Sequence, residues 1–512
     1  MSSTNGSDPR PDFSLGVDCA ALADGELLRG RVGPEPAVMA RRGADFFVFG
    51  AECSHYHGPL SEGLLVGDSI RCPWHHACFD IRSSRASRAP AFDALPVWRT
   101  EAVDGKVYAR EKKAAPERLA ISSSAEAPKS IVIVGAGAAG FSAAHTLRAE
   151  GYDGEITLIG ADPSPPYDRP NLSKDYLAGA APPEWLPLRA SDYFSSRRIN
   201  LKLGRRVEIL DPIERRVELD DGTSFNFDAA LLATGAEPVR LPTPGIERPH
   251  VHYLRTLADS DALIAAAEKA RGVAVIGASF IGLEVAAALR TRGLEVHAIA
   301  PEALPMERIL GPDLGRFVQS LHEARGVAFH LQETVTSIEA SSIVLASGKR
   351  IGADLVVVGV GVRPVVSIAE QAGLATDKGV LVDEYLQTSA PGIFAAGDIA
   401  RWPDPLTGER IRVEHWVVAE RQGRTAARNM LGRKERFDAV PFFWSQHYDA
   451  AISYVGHASA WDRTELSGDP SAGDCSVTYF KGERKLAVAT LFRDLESLRA
   501  EVAFEQSIGA CA

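Results

Sequence analysis

The sequence predicts an α/β chain built on two tandem Rossmann-like units. A small all-β domain precedes them and a small α+β domain follows. Three observations carry that expectation. An apolar run at 131–134 enters G-A-G-A-A-G at 135–140 and then a helical stretch. The same arrangement returns at 273–300. Near the start, Cys53-x-His55 and Cys72-x-x-His75 sit among short β-like runs.

Composition narrows the class. A length of 512 residues allows about three or four domains. A hydrophobic share of 45% and a charged share of 24% are ordinary for a globular protein. The net charge of −11 argues against nucleic acid or an anionic membrane as the main partner. The opening MSSTNGSDPRPDF is polar and lacks an apolar signal core, so a cytoplasmic setting is expected. The most apolar stretch, 131–144, is too short and glycine-rich to span a bilayer. The six cysteines are 19, 53, 72, 78, 475 and 511, and none lies between 79 and 474. A redox cysteine pair is therefore missing from the whole middle of the chain.

The first domain is placed at 12–110, with β-like runs such as 46–49 and 106–109 around the Cys/His loops. Sixteen residues separate C-x-H from C-x-x-H. Two thiolates and two imidazoles, one of each per loop, suit a Rieske [2Fe–2S] cluster: one iron takes both sulfurs and the other both rings. A Cys2His2 zinc site uses the same ligand types, but it groups its cysteines and histidines separately. The stretches CSHYHGPLSEG and CPWHHACFD resemble Rieske ferredoxins, which makes Cys53, His55, Cys72 and His75 the expected ligands. His57, His76 and Cys78 are read as loop packing. In high-potential Rieske proteins a disulfide pins the loops, and its cysteines would fall at Gly58 and Trp74. A hydroxyl donor would fall at Ala77. Their absence predicts a potential on the order of −150 mV. Residues 111–129 are polar and read as a linker. Nineteen flexible residues give a reach of roughly 25 Å.

The first fingerprint runs 131–134 (strand), 135–140 (turn), helix to about Glu150, and strand 156–159. Gly135 allows the tight turn and Gly137 lets a pyrophosphate approach the helix N-terminus. Gly140 permits close helix–strand packing. Asp162 lies twenty-two residues past Gly140, where an acid bonds ribose hydroxyls. The second fingerprint, G277-A-S-F-I-G282, has Ser279 in place of the middle glycine, with a helix to Arg292 and a strand at 296–300.

These fingerprints, with TSAPGIFAAGD at 388–398, resemble the two-dinucleotide-binding-domain flavoproteins. PPYDRPNLSK at 165–174 and PFFWSQHYD at 441–449 resemble one branch, the ferredoxin reductases of Rieske oxygenase systems and the apoptosis-inducing-factor proteins. The resemblance implies FAD on segments 130–248 and 373–435, NAD(P)H on 249–372, and a reductase C-terminal domain at 436–512. It places Gly135, Gly137, Gly140, Asp162, Val207, Ala233, Thr234 and Gly235 along FAD. Arg169 and Lys174 fall near the ribityl chain and isoalloxazine, and Asp398 on a ribityl hydroxyl. Glu414, His415 and Trp416 would cap the flavin, with Trp444 beside it. Gly277, Ser279, Gly282, Glu284, Gly359 and Gly361 fall on the nicotinamide nucleotide, with Glu284 pairing Lys174. The catalytic set it implies is Lys174, Glu284 and Trp416. The acid that ends the second strand in NADH users aligns with Ala300, and Glu302 lies two residues on. No Arg or Lys occurs from 293 to 306, which favours NADH over NADPH. The motif W-S-D-Q becomes Trp444-Ser445-Gln446-His447 here.

The expected activity is that of an FAD-dependent NAD(P)H oxidoreductase feeding its own cluster and then a redox protein such as an oxygenase or cytochrome. The chain would work as monomer or homodimer. Two other readings stand beside it. One is a self-contained reductase of a quinone, radical or dye. The other is a redox-responsive signalling protein like apoptosis-inducing factor, which the acidic charge disfavours.

Overall fold

The computed structural model describes residues 10–114 and 127–509. Most of the expected linker therefore lies outside the described residues. At its start the structure differs from the sequence reading: strand Lys106–Lys112 continues past 110, pairing with Val97–Val103.

Two compact units are present. Among the described residues, the first comprises 10–114 with Asp494–Ala503, and the second comprises 127–493 with 504–509. The sequence reading placed 494–503 in the C-terminal domain, so the first unit recruits helical residues distant in the chain.

In the first unit a six-stranded antiparallel sheet runs in the order 17–18, 106–112, 97–103, 45–50, 35–42, 27–32. Alternating residues of Glu35–Arg42 divide its two faces: Val38 and Ala40 enter one core and Ala37 and Met39 another. A smaller sheet of Leu64–Val66, Ser69–Arg71, Cys78–Asp80 and Ala86–Arg88 carries the second Cys/His loop between two of its strands.

The second unit holds two five-stranded parallel sheets. One orders Ile199–Leu203, Glu155–Gly160, Ser130–Val134, Ala229–Leu232 and Ile393–Ala395. Strand 393–395 returns from late in the chain, as expected for a split first nucleotide unit. The other orders Val251–Tyr253, Leu355–Val358, Gly272–Ile276, Glu295–Ala300 and Val327–Leu331. In each, a βα turn opens a buried helix, Ala138–Ala149 or Phe280–Thr291. Near-continuous Val/Ile/Leu/Ala runs match strands covered on both faces. A five-stranded antiparallel sheet beginning with Phe442–His447 completes the unit.

Candidate functional site

The first unit's loops share one construction. Cys53 N–H donates to Gly58 O and His57 N–H to Cys53 O; Cys72 N–H donates to Ala77 O and His76 N–H to Cys72 O. His57 and His76 close the loops at φ 59° and 58°. The loops bring together all four expected ligands. Both thiols are buried, and the neighbouring Cys72 side chain lowers the pKa of Cys53. The His55 and His75 rings meet edge-on with centroids 5.0 Å apart. His55 Nδ1 is sealed from solvent without a hydrogen-bond partner, and burial pushes the ring's pKa down to about 3. A neutral imidazole with an unclaimed buried lone pair fits a metal ligand. A Cβ at Gly58 would stand 2.7 Å from Cys72 Sγ, so this loop has no space for a side chain there.

His76 does more than fill a loop, which corrects the packing reading. It is fully buried, with Nδ1 3.1 Å from Glu501 Oε2 and Nε2 3.2 Å from Ser497 Oγ. Arg71 Nη1 donates to the same Glu501 oxygen at 3.3 Å. Arg88 lies 3.8 Å from the other oxygen. The helical residues 494–503 thus buttress the second ligand loop within the first unit.

In the second unit, two cavities of about 370 and 350 Å³ both touch Gly137, Arg169, Ala233, Gly235 and Arg255. Gly135 has φ 112°, and a Cβ there would lie 2.0 Å from Ala233 O. A Cβ on Gly140 would lie 1.8 Å from Gly135 O, which enforces the helix–strand approach. The helix Ala138–Ala149 begins at Gly137 with no side-chain cap and no acid in its first turn. Arg169 guanidinium nitrogens lie 3.7 Å from where a Gly137 Cβ would stand, and Arg169 Nε is buried with no partner. Free helix N–H groups and a buried cation with spare donors fit the diphosphate of FAD.

Asp162, Val207 and Thr234 line the first cavity. Asp162 Oδ2 accepts from Tyr167 OH at 2.7 Å, and Thr234 Oγ1 donates to Val365 O at 2.6 Å. The second cavity gathers Lys174, Ser279, Glu284, Gly361, Trp416 and Trp444. Glu414, His415 and Asp398 also line it. Asp398 accepts from Arg255 at 2.7 Å, a partner the sequence did not suggest. Burial raises the pKa of Glu414 and pushes His415 down to about 3. The His415 ring stacks on Phe443 at 4.4 Å. Gly277 and Gly282 shape the backbone: a Cβ on Gly277 would lie 2.3 Å from Gly359 O, and one on Gly282 2.2 Å from Gly277 O. Glu302 lies two residues past strand Glu295–Ala300, lines neither cavity, and pairs with Arg308 at 3.2 Å.

Glu284 anchors the junction. It is buried, and its Oε2 accepts from Lys174 Nζ at 2.8 Å and from Ser173 Oγ at 2.6 Å. Its Oε1 accepts from Ser445 Oγ at 2.6 Å. Ser173 and Ser445 escaped the sequence reading. The available signal was the period-two placement of Phe443, Ser445 and His447 on one strand face.

A cleft with two nucleotide turns in one unit, and loops built for an iron–sulfur cluster in the other, define a flavin- and nicotinamide-dependent reductase with its own electron-carrying domain. Residues 129–423 match the family described as pyridine nucleotide-disulphide oxidoreductase. Residues 17–99 match the Rieske [2Fe-2S] domain and 442–508 the reductase C-terminal domain. Apoptosis-inducing factor 3 of Homo sapiens is 33% identical over 491 residues, covering 92% of this chain and 80% of that protein. Rhodocoxin reductase of Rhodococcus erythropolis is 39% identical over 376 residues, covering 72% and 88%. The crystal structure of the covalent putidaredoxin reductase–putidaredoxin complex superposes with TM-score 0.72 at 34% identity, covering 74% of this chain and 94% of that one. The chain belongs to the pyridine nucleotide-disulphide oxidoreductase family, as a ferredoxin-reductase-like FAD- and NAD(P)H-dependent oxidoreductase with a fused Rieske domain. Its cofactors are FAD, NADH and a [2Fe–2S] cluster, and the zinc alternative falls with the Rieske match. With no cysteine from 79 to 474, the disulphide chemistry for which the family is named has no counterpart in that stretch of the chain. Among the described residues no helix is long and apolar enough to cross a membrane.

Proposed function

We propose that this chain oxidises NADH in the second unit's cleft and passes the electrons through its own cluster to a redox protein. When bound, the flavin takes a hydride and releases electrons singly to a one-electron cluster. The chain's residues position these groups and set the electrostatics. Gly135, Gly137, Gly140 and Arg169 hold the diphosphate, and Asp162 the ribose. Lys174 supplies positive charge where the flavin gains electrons, and Glu284 fixes it. Trp416 and Trp444 wall the ring. Ser279 and Gly361 line the nicotinamide side, and Glu302 favours an unphosphorylated ribose. Cys53, His55, Cys72 and His75 ligate the cluster. Trp74, 42% exposed and edge-on to His75 at 6.5 Å, marks an aromatic face for the acceptor. Segments 12–110, 130–248 with 373–435, 249–372 and 436–512 serve as Rieske, FAD, NAD and C-terminal domains, working in the cytoplasm as monomer or homodimer.

One observation carries the reading. The Lys174–Glu284 pair, its carboxylate buried, lines a cavity touched by the first nucleotide turn at Gly137 and by the second at Ser279. The relatives named for reducing redox proteins support a protein acceptor, as does the tethered cluster. Anaerobic rapid mixing with NADH, following flavin bleaching and cluster absorbance together, is the test. Cys53→Ser should keep flavin bleaching and abolish reduction of a one-electron protein acceptor. Undiminished turnover in that variant would instead favour the self-contained reductase.

A further inference from the structure

Behind Glu284 the polar contacts continue inward. Ser445 Oγ lies 3.1 Å from His447 Nε2, and His447 Nδ1 lies 3.2 Å from His322 Nε2. Ser445 and His447 come from strand Phe442–His447, Glu284 from helix Phe280–Thr291 and His322 from helix Glu307–Ala324. Ser445 is 1% exposed and both rings are fully buried. Burial pushes His447 down to about 3 and His322 to about 2, so both rings are neutral at working pH.

Counting protons leaves one arrangement. The Ser445 hydroxyl has a single hydrogen, and the 2.6 Å contact gives it to the Glu284 carboxylate. Ser445 Oγ must then accept from His447 Nε2–H. A neutral His447 has a bare Nδ1, which accepts from His322 Nε2–H. His322 Nδ1 is then left as a lone pair. It is indeed buried without a hydrogen-bond partner. Reversing any link would set two hydrogens or two lone pairs against each other.

We infer that His322 and His447 are positioning residues of the dinucleotide cleft, a one-directional donor chain through Ser445 that holds the Glu284 carboxylate against Lys174. The inference rests on the proposed NADH site. Neither ring lines the cavity, and their action is on geometry. Among the described residues Glu284 has three donors, and only Ser445 fixes its second oxygen. With Ser445 free to turn, Glu284 and Lys174 lose their common orientation.

The test compares His447→Leu with His447→Gln in the full-length holoprotein. A glutamine amide donates to Ser445 and accepts from His322, while leucine fills the space and does neither. The Leu variant should lower the rate of flavin bleaching at saturating NADH by roughly 10–100-fold. KM for NADH and flavin content should stay near wild type, and the Gln variant should recover most of the rate. Spectra of 15N-histidine-labelled protein should show His447 and His322 neutral with Nε2 protonated. The inference is overturned if Leu and Gln behave alike, whether both match wild type or both lose flavin, or if either ring carries its proton on Nδ1. A wild-type protein that NADH does not bleach would instead overturn the NADH site itself. His322→Leu offers a second variant, from outside the strand, with the same expected split between kcat and KM.

Discussion

Replacing Glu501 with alanine should unfasten the first unit. The carboxylate is wholly buried and meets His76 at 3.1 Å and Arg71 at 3.3 Å, with Arg71 itself 5% exposed. Removing one member of a buried charged set strands the others, at a cost of about 3–5 kcal/mol. Arg88, at 3.8 Å and partly exposed, adds little. At about 4 °C or more per kcal/mol for a domain of this size, the lower bound lowers Tm by about 12 °C. Melting followed by the visible circular dichroism of the cluster reads the first unit, and flavin fluorescence reads the second. Glu501→Gln keeps an acceptor for Arg71 and should cost less. A cluster band that melts at the same temperature in wild type and Glu501→Ala would refute the reasoning.

Other expectations follow from the same contacts. Glu284→Ala leaves Lys174 without its ion-pair partner and should slow flavin bleaching by NADH while weakening the second unit, measured by stopped flow and by flavin-release temperature. Glu302→Ala should shift kcat/KM toward NADPH by about tenfold, equivalent to about 1.4 kcal/mol, whereas a wild type already preferring NADPH would contradict the assignment of Glu302. His322 and His447, folded, titrate near 2 and 3 against an unfolded value of 6.5. Above pH 6.5 both states are neutral and nothing is lost. Below it the unfolded chain binds two protons the folded rings refuse, so stability falls with pH by up to about 2.7 kcal/mol per unit, checked by denaturant titration of the second unit. The cluster midpoint should lie near −150 mV, because Gly58 and Ala77 offer neither disulfide nor hydroxyl, and a potentiometric titration reads it directly.

Legibility in the sequence followed the range of the interaction. The cluster ligands and both glycine turns are local, since each is set by residues within one loop or one strand–turn–helix. They appear at the expected positions, with strands longer by a residue or so, as Gly272–Ile276 and Glu295–Ala300 show. The Lys174–Glu284 pair spans 110 residues and was reached only through family resemblance. Arg255–Asp398, Ser445–Glu284 and Arg71–Glu501 span 143, 161 and 430 residues, and no local pattern announces them. Period-two burial along 442–447 does mark Ser445 and His447 as inward-facing. A polar residue at such a position implies a buried partner without naming it.

That asymmetry has a chemical meaning. The reacting groups of this protein are cofactors, and the motifs proposed to grip them are local: glycines for phosphates, Cys and His for iron. What the chain must add is orientation and charge, and those come from long-range contacts. Lys174 reaches from the turn after Arg169–Ser173 to a carboxylate on a helix of the second sheet, and that carboxylate is braced by a serine on a third. The second cluster loop is braced in the same manner by a carboxylate from the last helix. In both places a buried acid accepts from two or more groups donated by separate elements. A buried carboxylate is stable only when so supplied, which means each brace forms only when all its elements have docked. On the proposed reading, the charge presented to the flavin therefore depends on the assembled second unit, and that of the cluster loop on the assembled first, rather than on the fingerprints alone.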